Sequence, residues 1–387
     1  MIKKIKYFLL IFLLLLSLCT KKKNTKKCIT EIEFKNVSEN YNIKFESIKN
    51  IKLEFNAKDP LQAITRIDFD SKNNIYICDY MSSNVKVYEK NGKLLRTIGR
   101  AGRGPNEYIG LKSIFVDKNN NDDIYISDVS INRITCLDKK GNYIYDFPID
   151  SKYYYSGVGM FKKENKFYIP AKDAHSNFFK DVTRTYVIAE LDMKGKIIKT
   201  MGKIDEIYNE YNLTNMLRTN FENKIINNNI YYTLLAYYKV YYINLNNGNV
   251  YKFGIKGKNF HKLIKNPYTE PGVSLKKSLN YRGKLTHMTK PFLMNNNILL
   301  VEYYNNNKMK DRSGKNLYDN GKENLFDGYI QVYDLKNKLY LGEIYIGQKK
   351  IICMDNNDYL YAIKDHGSNE LIKYNLKIIK KGNNDEK

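Results

Sequence analysis

A hairpin pattern that recurs six times constrains the fold of this 387-residue chain more than any other feature. In each unit a short apolar strand is followed by a polar turn, usually rich in Asn or Asp, and then by a second apolar strand. The turns lie at residues 70–74, 117–123, 162–166, 227–229, 295–297 and 355–358. Because Asn and Asp tolerate the left-handed conformations that tight hairpins need, the pattern predicts six β-hairpins.

Each unit continues with a third strand, a tight turn and usually a fourth strand. The third strands are predicted to end near Tyr88, Leu137, Leu191, Leu245, Leu335 and Tyr374, with turns at Gly92, Gly141, Gly195, Gly248, Asn337 and Asn375. Six such units predict an all-β fold, a six-bladed β-propeller of four-stranded antiparallel blades over residues 46–381, with a polar tail at 382–387. The last blade needs an outer strand, and both residues 51–55 and residues 377–380 are candidates for it.

The sizeable insertions all fall on one side of the predicted ring. A propeller places its second-to-third loops and its blade-to-blade links on the same face, and the insertions occupy these positions at residues 99–110, 170–184, 203–221, 255–287 and 303–327. We name this surface the loop-rich face. Insertions gathered on one face usually mark a binding surface, although tolerated loop growth is the alternative. Within it, the helical spacing of Ile207, Tyr211, Met216 and Leu217 predicts a short helix.

The first two units carry a more specific motif. Strands of the form IYICD and NVKVYEKNGKLLRTIGR, followed by the link GRGPNEY, resemble the NHL-repeat-like or TolB-like six-bladed propellers of bacterial exported proteins. The matching residues are Asp79 and Asp128 at the ends of second strands, and Gly102, Gly104, Pro105, Glu107 and Tyr108 in the link. The resemblance implies an exported propeller. It is strong over residues 64–147 and fades in the later units, where Asp79 has no clear counterpart.

The glycines and the proline of the link predict a tight crossing between the first two blades. Gly102 and Gly104 allow positive φ angles or close backbone approach. Pro105 fixes the direction in which the chain enters the next inner strand. We therefore expect these three residues to have a structural role.

The charged and aromatic residues of the link have two interpretations. Glu107 is expected to accept backbone N–H groups or to pair with Arg100 or Arg103, which would pin the crossing. In the alternative, Arg100, Arg103 and Glu107, followed by Tyr108, belong to a binding surface and present charge to a ligand over the channel.

The amino terminus predicts export and lipid anchoring. Three Lys residues precede the apolar run 8–16, which is too short to cross a bilayer comfortably. The residues that follow resemble a bacterial lipobox ending at Cys19, although Leu18 stands where Gly or Ala is usual. We expect a lipoprotein signal peptide over 1–18, lipid attachment at Cys19, and a polar tether and lead-in over 19–45, which places the protein in a bacterial cell envelope, on its periplasmic or surface side. An ordinary signal peptide is the alternative.

The net charge of +24 permits several anionic partners. Only nine of the 65 basic residues are Arg. Because phosphate and base readout favour the planar guanidinium, the Lys excess argues against nucleic acid. Surface solubility is the simpler explanation.

Neither a metal nor a cofactor site is predicted, and no catalytic residue. The four His and five Cys residues are dispersed along the chain without metal-ligand spacing. Cys78 and Cys136 fall inside predicted strands and are expected to be buried as small hydrophobes.

Two functions are consistent with this sequence. The favoured one is a lipid-anchored, non-catalytic and monomeric binding scaffold, whose loop-rich face binds a protein, a peptide or a glycan. The alternative is a metal-dependent hydrolase or lyase, similar to gluconolactonase-like or amidating-lyase-like propellers. That alternative requires carboxylates on the inner strands around the channel, and Asp68 is one of few candidates.

Overall fold

The protein is a ring of six blades. The computed structural model describes residues 29–55, 57–149, 153–155, 159–173, 186–213, 219–221, 225–267, 277, 281–282, 284–305, 326–364 and 369–382. The predicted signal peptide, the lipid attachment residue Cys19 and the first part of the tether lie outside these residues. Among the described residues, no helix has the length and apolar character needed to cross a membrane.

The first strands of the chain belong to the last three blades. They are β1 (Thr30–Glu31), β2 (Lys35–Asn36) and β3 (Tyr41–Lys52), with a 3-10 helix at Ser38–Asn40 before β3. Blade 1 then contains β4 (Ile64–Phe69), β5 (Ile75–Asp79), β6 (Asn84–Tyr88) and β7 (Leu94–Ile98), and the link to blade 2 contains β8 (Arg100–Ala101) and β9 (Glu107–Tyr108). Blade 2 contains β10 (Leu111–Asp117), β11 (Asp123–Asp128), β12 (Arg133–Leu137) and β13 (Tyr143–Pro148).

The remaining blades repeat this order, and blades 3 and 4 are joined by the single α-helix whose bounds fall within the described residues. Blade 3 contains β14 (Tyr153–Tyr155), β15 (Phe161–Lys163), β16 (Lys166–Asp173), β17 (Tyr186–Leu191) and β18 (Ile197–Lys203), and the helix α1 (Ile207–Glu210) follows. Blade 4 contains β19 (Thr219–Phe221), β20 (Asn229–Leu234), β21 (Val240–Asn244) and β22 (Val250–Phe253). Blade 5 contains β23 (Thr286–Met294), β24 (Ile298–Asn305), β25 (Asp327–Asp334) and β26 (Leu339–Gly347), and blade 6 contains β27 (Ile351–Met354), β28 (Leu360–Ile363) and β29 (Glu370–Lys380).

The strand pairing confirms the predicted fold class. Strands that follow one another within a blade pair antiparallel, except that β14 and β15 of blade 3 both pair with β16. Every predicted hairpin turn lies between the first and second strands of its blade, if β15 is counted as the first strand of blade 3. Several Asn residues of these turns have positive φ angles, for example Asn73, Asn227 and Asn295. The hairpins therefore use the left-handed conformations that Asn tolerates, as the sequence predicts.

The last blade is closed by the amino-terminal strand β3. It pairs antiparallel with β29 from Tyr41↔Lys380 to Lys52↔Glu370. The third strand of blade 6 does not end near Tyr374, and the predicted turn at Asn375 is wrong. Because β3 supplies partners along the whole length of β29, with Phe45 stacked 4.4 Å from Tyr374, the strand continues straight to its end.

The propeller also begins earlier than the predicted boundary at residue 46. β1 pairs parallel with β22, and β2 pairs parallel with β26, so each adds a fifth strand to a blade. Between them Phe34 stacks on Phe253 at 4.2 Å. Residues 30–45 therefore cover blade edges, where the sequence suggested a lead-in.

The buried apolar residues form six clusters, each between two neighbouring blades. The cluster between blades 1 and 2, for example, joins Val85 and Cys78 to Ile114 and Ile126. Cys78, Cys136 and Cys353 are buried free thiols, as expected for small hydrophobes. Since each blade uses both faces for this packing, the loops at the ends of the ring are the surfaces left for recognition.

Candidate functional site

Asp79 and Asp128 fasten the starts of the inner strands. Asp79 is fully buried and accepts the backbone N–H groups of Gln62 (2.8 Å) and Ala63 (2.9 Å), which precede β4. Burial acts to raise the pKa of Asp79, but these donors, with Ser82 and Lys86, lower it below its ordinary value. The carboxylate is therefore held ionised inside blade 1.

Asp128 repeats this arrangement in blade 2. Its carboxylate accepts the N–H groups of Ile109 (2.6 Å) and Gly110 (3.0 Å) before β10, and that of Ser130 (2.9 Å) in the following turn. Asp79 and Asp128 thus bind equivalent backbone groups in their blades, and both are buried.

Glu302 is a counterpart of these aspartates that the sequence analysis missed. It is the fifth residue of β24, as Asp79 is the fifth residue of β5. Glu302 accepts the N–H of Ile351 (2.6 Å), at the start of blade 6, and the hydroxyl of Thr289 (2.7 Å). Burial raises its pKa to about 7, although Thr289, Ile351 and two nearby Lys residues oppose the rise. The signal was the fifth position of the second strand, which holds Glu here.

The carboxylate of Glu107 is used within the link itself. It accepts the N–H of Gly104 (2.9 Å) and pairs with the guanidinium of Arg100 (2.9 Å). A Cβ on Gly102 would lie 2.2 Å from the Glu107 Oε2 atom, so this close approach requires glycine. Pro105 stands in the turn between β8 and β9.

The other candidate residues of the link divide into buried and exposed ones. Tyr108 is fully buried, and its hydroxyl donates to Asn106 Oδ1 (3.1 Å). Arg133 of blade 2 donates to the carbonyl of Arg103 (3.1 Å). The side chains of Arg100 and Arg103 are exposed, so of the predicted binding residues these two guanidinium groups reach solvent.

An open groove on the loop-rich face lies beside α1. It has a volume of about 560 Å³ and is lined by Asp205, Glu206, Ile207, Asn209, Glu210, Tyr237 and Lys252. Tyr208 holds the helix in place, because its ring is fully buried and its hydroxyl donates to the Leu235 carbonyl. The helix begins at Ile207, the first residue of the predicted helical spacing, whereas Met216 and Leu217 lie outside the described residues.

Asp205 is the centre of the polar network under the groove. It is 7% exposed and accepts the Tyr241 hydroxyl (3.0 Å) and the Lys252 ammonium (2.9 Å). Burial, followed by the charge of Asp205, raises the pKa values of Tyr232 and Tyr241, so both phenols stay neutral. Asp205 therefore fixes the floor of the groove.

The rim of the groove carries carboxylates whose negative charge is not neutralised by the described residues. Glu206 and Glu210 are exposed on one side of α1, and neither has an ion pair among the described residues. Glu31 of β1 reaches Lys239 (2.6 Å) and Lys252 (3.9 Å) from the other side. In a chain of net charge +24, the groove is thus a local acidic surface with the ring of Tyr237 in its wall.

The inner-strand carboxylates required by the hydrolase or lyase alternative are bonded to protein groups. Asp68 accepts the N–H of Val116 (2.9 Å) and lies 3.7 Å from Lys118. Asp117 pairs with Lys162 at 2.8 Å. Over the part of the chain that the structure describes, no three His, Cys, Asp or Glu side chains are grouped so as to hold a metal ion.

The fold and the groove define a six-bladed β-propeller with a recessed surface on its loop-rich face. The chain belongs to DUF5128, a family of six-bladed β-propellers whose model matches residues 20–349. A search of curated proteins finds no match.

Two solved structures share this fold. A member of the DUF4221 family from Bacteroides vulgatus is 12% identical with a TM-score of 0.64, covering 87% of this chain and 99% of that chain. A protein from Bacteroides fragilis that is described as exported is 15% identical with a TM-score of 0.55, covering 91% of this chain and 100% of that chain. At these identities the likeness shows the fold alone.

Proposed function

We propose that this protein is a lipid-anchored, exported binding scaffold without catalytic activity, related to the NHL-like propellers, whose loop-rich face binds a protein, peptide or glycan. The observation that carries the proposal is the groove beside α1. It combines an aromatic ring, an amide and unpaired carboxylates on the face that holds the insertions. Recessed surfaces of this composition are where ligands usually bind.

The charge of the groove favours a ligand with a basic group. Glu206 and Glu210 on the rim meet solvent without a counter-ion from the described residues, while Lys252 is already shared by Asp205 and Glu31. A Lys or Arg side chain, or an amino sugar, would pair with the rim carboxylates and lie against the ring of Tyr237. The ligand class that we expect first is therefore a basic peptide segment.

Two kinds of measurement test the scaffold function. Full-length protein is applied to arrays of basic and acidic peptides and of charged and neutral glycans. We expect selective binding of basic ligands, a loss of at least tenfold in affinity for Glu206→Gln with Glu210→Gln, and a loss for Tyr237→Ala. The matched control is Glu164→Gln, an exposed carboxylate in the β15–β16 turn on the opposite face. Equal binding by all variants would reject the groove as the site.

The anchor is tested separately. Cys19→Ala is expected to move the protein from the membrane fraction to the soluble exported fraction, because the acyl chains attach at this thiol. Ser17→Ala, two residues before it, serves as the control. Membrane retention by Cys19→Ala would contradict the lipid anchor without affecting the binding proposal.

A further inference from the structure

Arg66 is a buried cation that has no bonded partner among the described residues. It lies on β4, the strand of blade 1 nearest to the axis of the ring, and is 5% exposed. Its Nε atom is buried without a hydrogen bond, and its side chain has neither a hydrogen bond nor an ion pair among the described residues. Among the described residues, no polar group therefore compensates this charge at bonding distance.

A buried Lys and a half-buried Arg of the first two blades have bonded partners. Lys86 is 1% exposed and donates to Asp59 (2.9 Å) and Asn84 (2.9 Å), with Asp79 at 3.4 Å. Arg133 pairs with Asp146 at 3.4 Å and donates to backbone carbonyls of the link. Arg66 is thus an exception to the way in which this protein treats buried positive charge.

An unpaired buried guanidinium is costly, and it does not escape the cost by losing its proton. The guanidinium of Arg is not deprotonated in proteins. A buried charge is normally paired or hydrogen-bonded, and its desolvation otherwise opposes folding by several kcal/mol. The two terminal nitrogens of Arg66 are not among the buried atoms without a partner, so an anion from outside the chain can reach the tip of the guanidinium.

The surroundings of Arg66 favour an anion. Burial raises the pKa of the Cys353 thiol on β27 to about 12, while Lys290 on β23 and Arg66 oppose the rise, so cations from blades 1 and 5 act on one buried point of blade 6. Thr65 Oγ1 and Ser113 Oγ, on the neighbouring inner strands β4 and β10, are also buried without partners. The inner strands of blades 1 and 2 thus carry hydroxyl donors that the described residues leave unused.

The nearest carboxylate on the same strand is already bonded. Asp68 accepts the Val116 N–H and lies 3.7 Å from Lys118, and it makes neither an ion pair nor a hydrogen bond with Arg66. Two residues apart on β4, the two groups share one side of the strand, so Asp68 weakens the positive field without removing it.

We propose that Arg66, on the inner strand of blade 1, forms an oxyanion site in which its guanidinium binds a carboxylate or phosphate group, with Lys290 as a second cation. The fork of N–H donors on Arg matches both groups bidentately. This site is separate from the groove beside α1, so it does not depend on the function proposed for that groove.

Calorimetric titration of the full-length protein with inorganic phosphate, and separately with acetate, in a buffer free of other oxyanions tests the site. We expect saturable binding of one probe at about one ion per chain, and the probe that binds tells phosphate from carboxylate chemistry. Arg66→Met is expected to lower the affinity at least tenfold. Lys140→Met, which removes an exposed positive charge from the β12–β13 turn, is expected to bind as the wild type does. No binding of either probe by the wild type, or equal binding by Arg66→Met, would overturn the proposal.

Thermal unfolding separates the anion site from a structural role of Arg66. Without oxyanion, Arg66→Met is expected to melt at or above the wild-type temperature, because an unpaired buried charge has been removed. With the bound probe in excess, the wild type is expected to melt higher and the variant to remain unchanged. A variant that melts lower in both buffers by the same amount would show that Arg66 is structural. If Arg66→Met does not fold, Arg66→Lys keeps the charge without the fork and is expected to bind phosphate more weakly than the wild type.

Discussion

Blades 1 and 5 carry a carboxylate at the same strand position and use it differently. Asp79 accepts two backbone N–H groups that precede its own inner strand, and its pKa is lowered. Glu302 accepts a single backbone N–H, from the next blade, together with a hydroxyl, and its pKa is raised to about 7. The extra methylene lets Glu reach across to blade 6, where fewer donors meet it. Burial raises the pKa of both carboxyls, and at Asp79 the backbone donors with Ser82 and Lys86 outweigh it, whereas at Glu302 Thr289, Ile351 and the nearby Lys residues do not.

Replacing Asp79 is expected to have the largest effect. Asp79→Asn leaves one of two backbone donors opposite an amide –NH₂ and removes a negative charge near Lys86. We expect a loss of about 4 kcal/mol in the free energy of unfolding at pH 7, measured by urea denaturation. Asp128→Asn should lose a similar amount if the two positions are equivalent. A loss below about 1 kcal/mol in the free energy of unfolding for both variants would contradict the structural role assigned to these two carboxylates.

Replacing Glu302 is expected to change the pH dependence of stability. The pKa of Glu302 is raised from 4.5 to about 7. The stability that the protonated carboxyl contributes is therefore fully present below pH 4.5 and is lost as the pH rises through 7. This corresponds to about 3 kcal/mol. Glu302→Gln should therefore gain stability relative to the wild type between pH 5 and pH 8, with the difference levelling off above that range. Glu39→Gln, an exposed carboxylate, should show a constant difference, and the same constancy for Glu302→Gln would contradict the raised pKa.

The link between blades 1 and 2 offers a smaller test of how tightly that junction is built. In Gly102→Ala the new Cβ would displace the Glu107 carboxylate from Gly104, and the φ of +151° adds strain. We expect a loss of about 2 kcal/mol in thermal or urea unfolding. Gly104→Ala is the matched variant, with its Cβ 3.1 Å from the same oxygen, and should lose less. Equal losses would mean that the Glu107 contact is not what requires glycine at residue 102.

Arg100→Gln is expected to have the smallest effect. Its guanidinium is exposed and pairs with Glu107 at the surface, where ion pairs contribute little. Unfolding by urea should be indistinguishable from that of the wild type. A change in binding on the peptide and glycan arrays, with stability unaltered, would instead favour the interpretation in which the link faces a ligand.

The hairpins, the second strands and the short helix could be predicted from the sequence because each is determined by residues close together along the chain. The hairpin turns are made by Asn and Asp within a few residues, and the second strands begin within one residue of their predicted starts, as at Ile75 and Ile298. The short helix at Ile207–Glu210 also follows from local spacing. In each case the residues that set the conformation are neighbours along the chain.

The remaining features depend on contacts between distant residues. The role of Glu302 was hidden because its donors come from β23 and β27, and because the pairing of β23 with β24 shifts register between Met288 and Pro291. The groove combines α1, the β20–β21 loop, β22 and Glu31 of β1, which no single motif connects. β1 and β2 are two residues long, too short to show an alternating pattern.

The closure of the ring sets a condition on the timing of folding. β3 is among the first strands to be synthesised, and its partner β29 is the last of the described strands. Ile51 therefore cannot pair until Leu371 has been synthesised, 371 − 51 = 320 residues later. Such a distant pairing loses a large loop-closure entropy before any stabilising contact forms, so it is slow. Until the final strand arrives, the edge of β3 is an unoccupied template for foreign strands. A truncated or stalled chain is therefore an open ring that is prone to aggregate, and the eleven-residue strand β29 is what closes it.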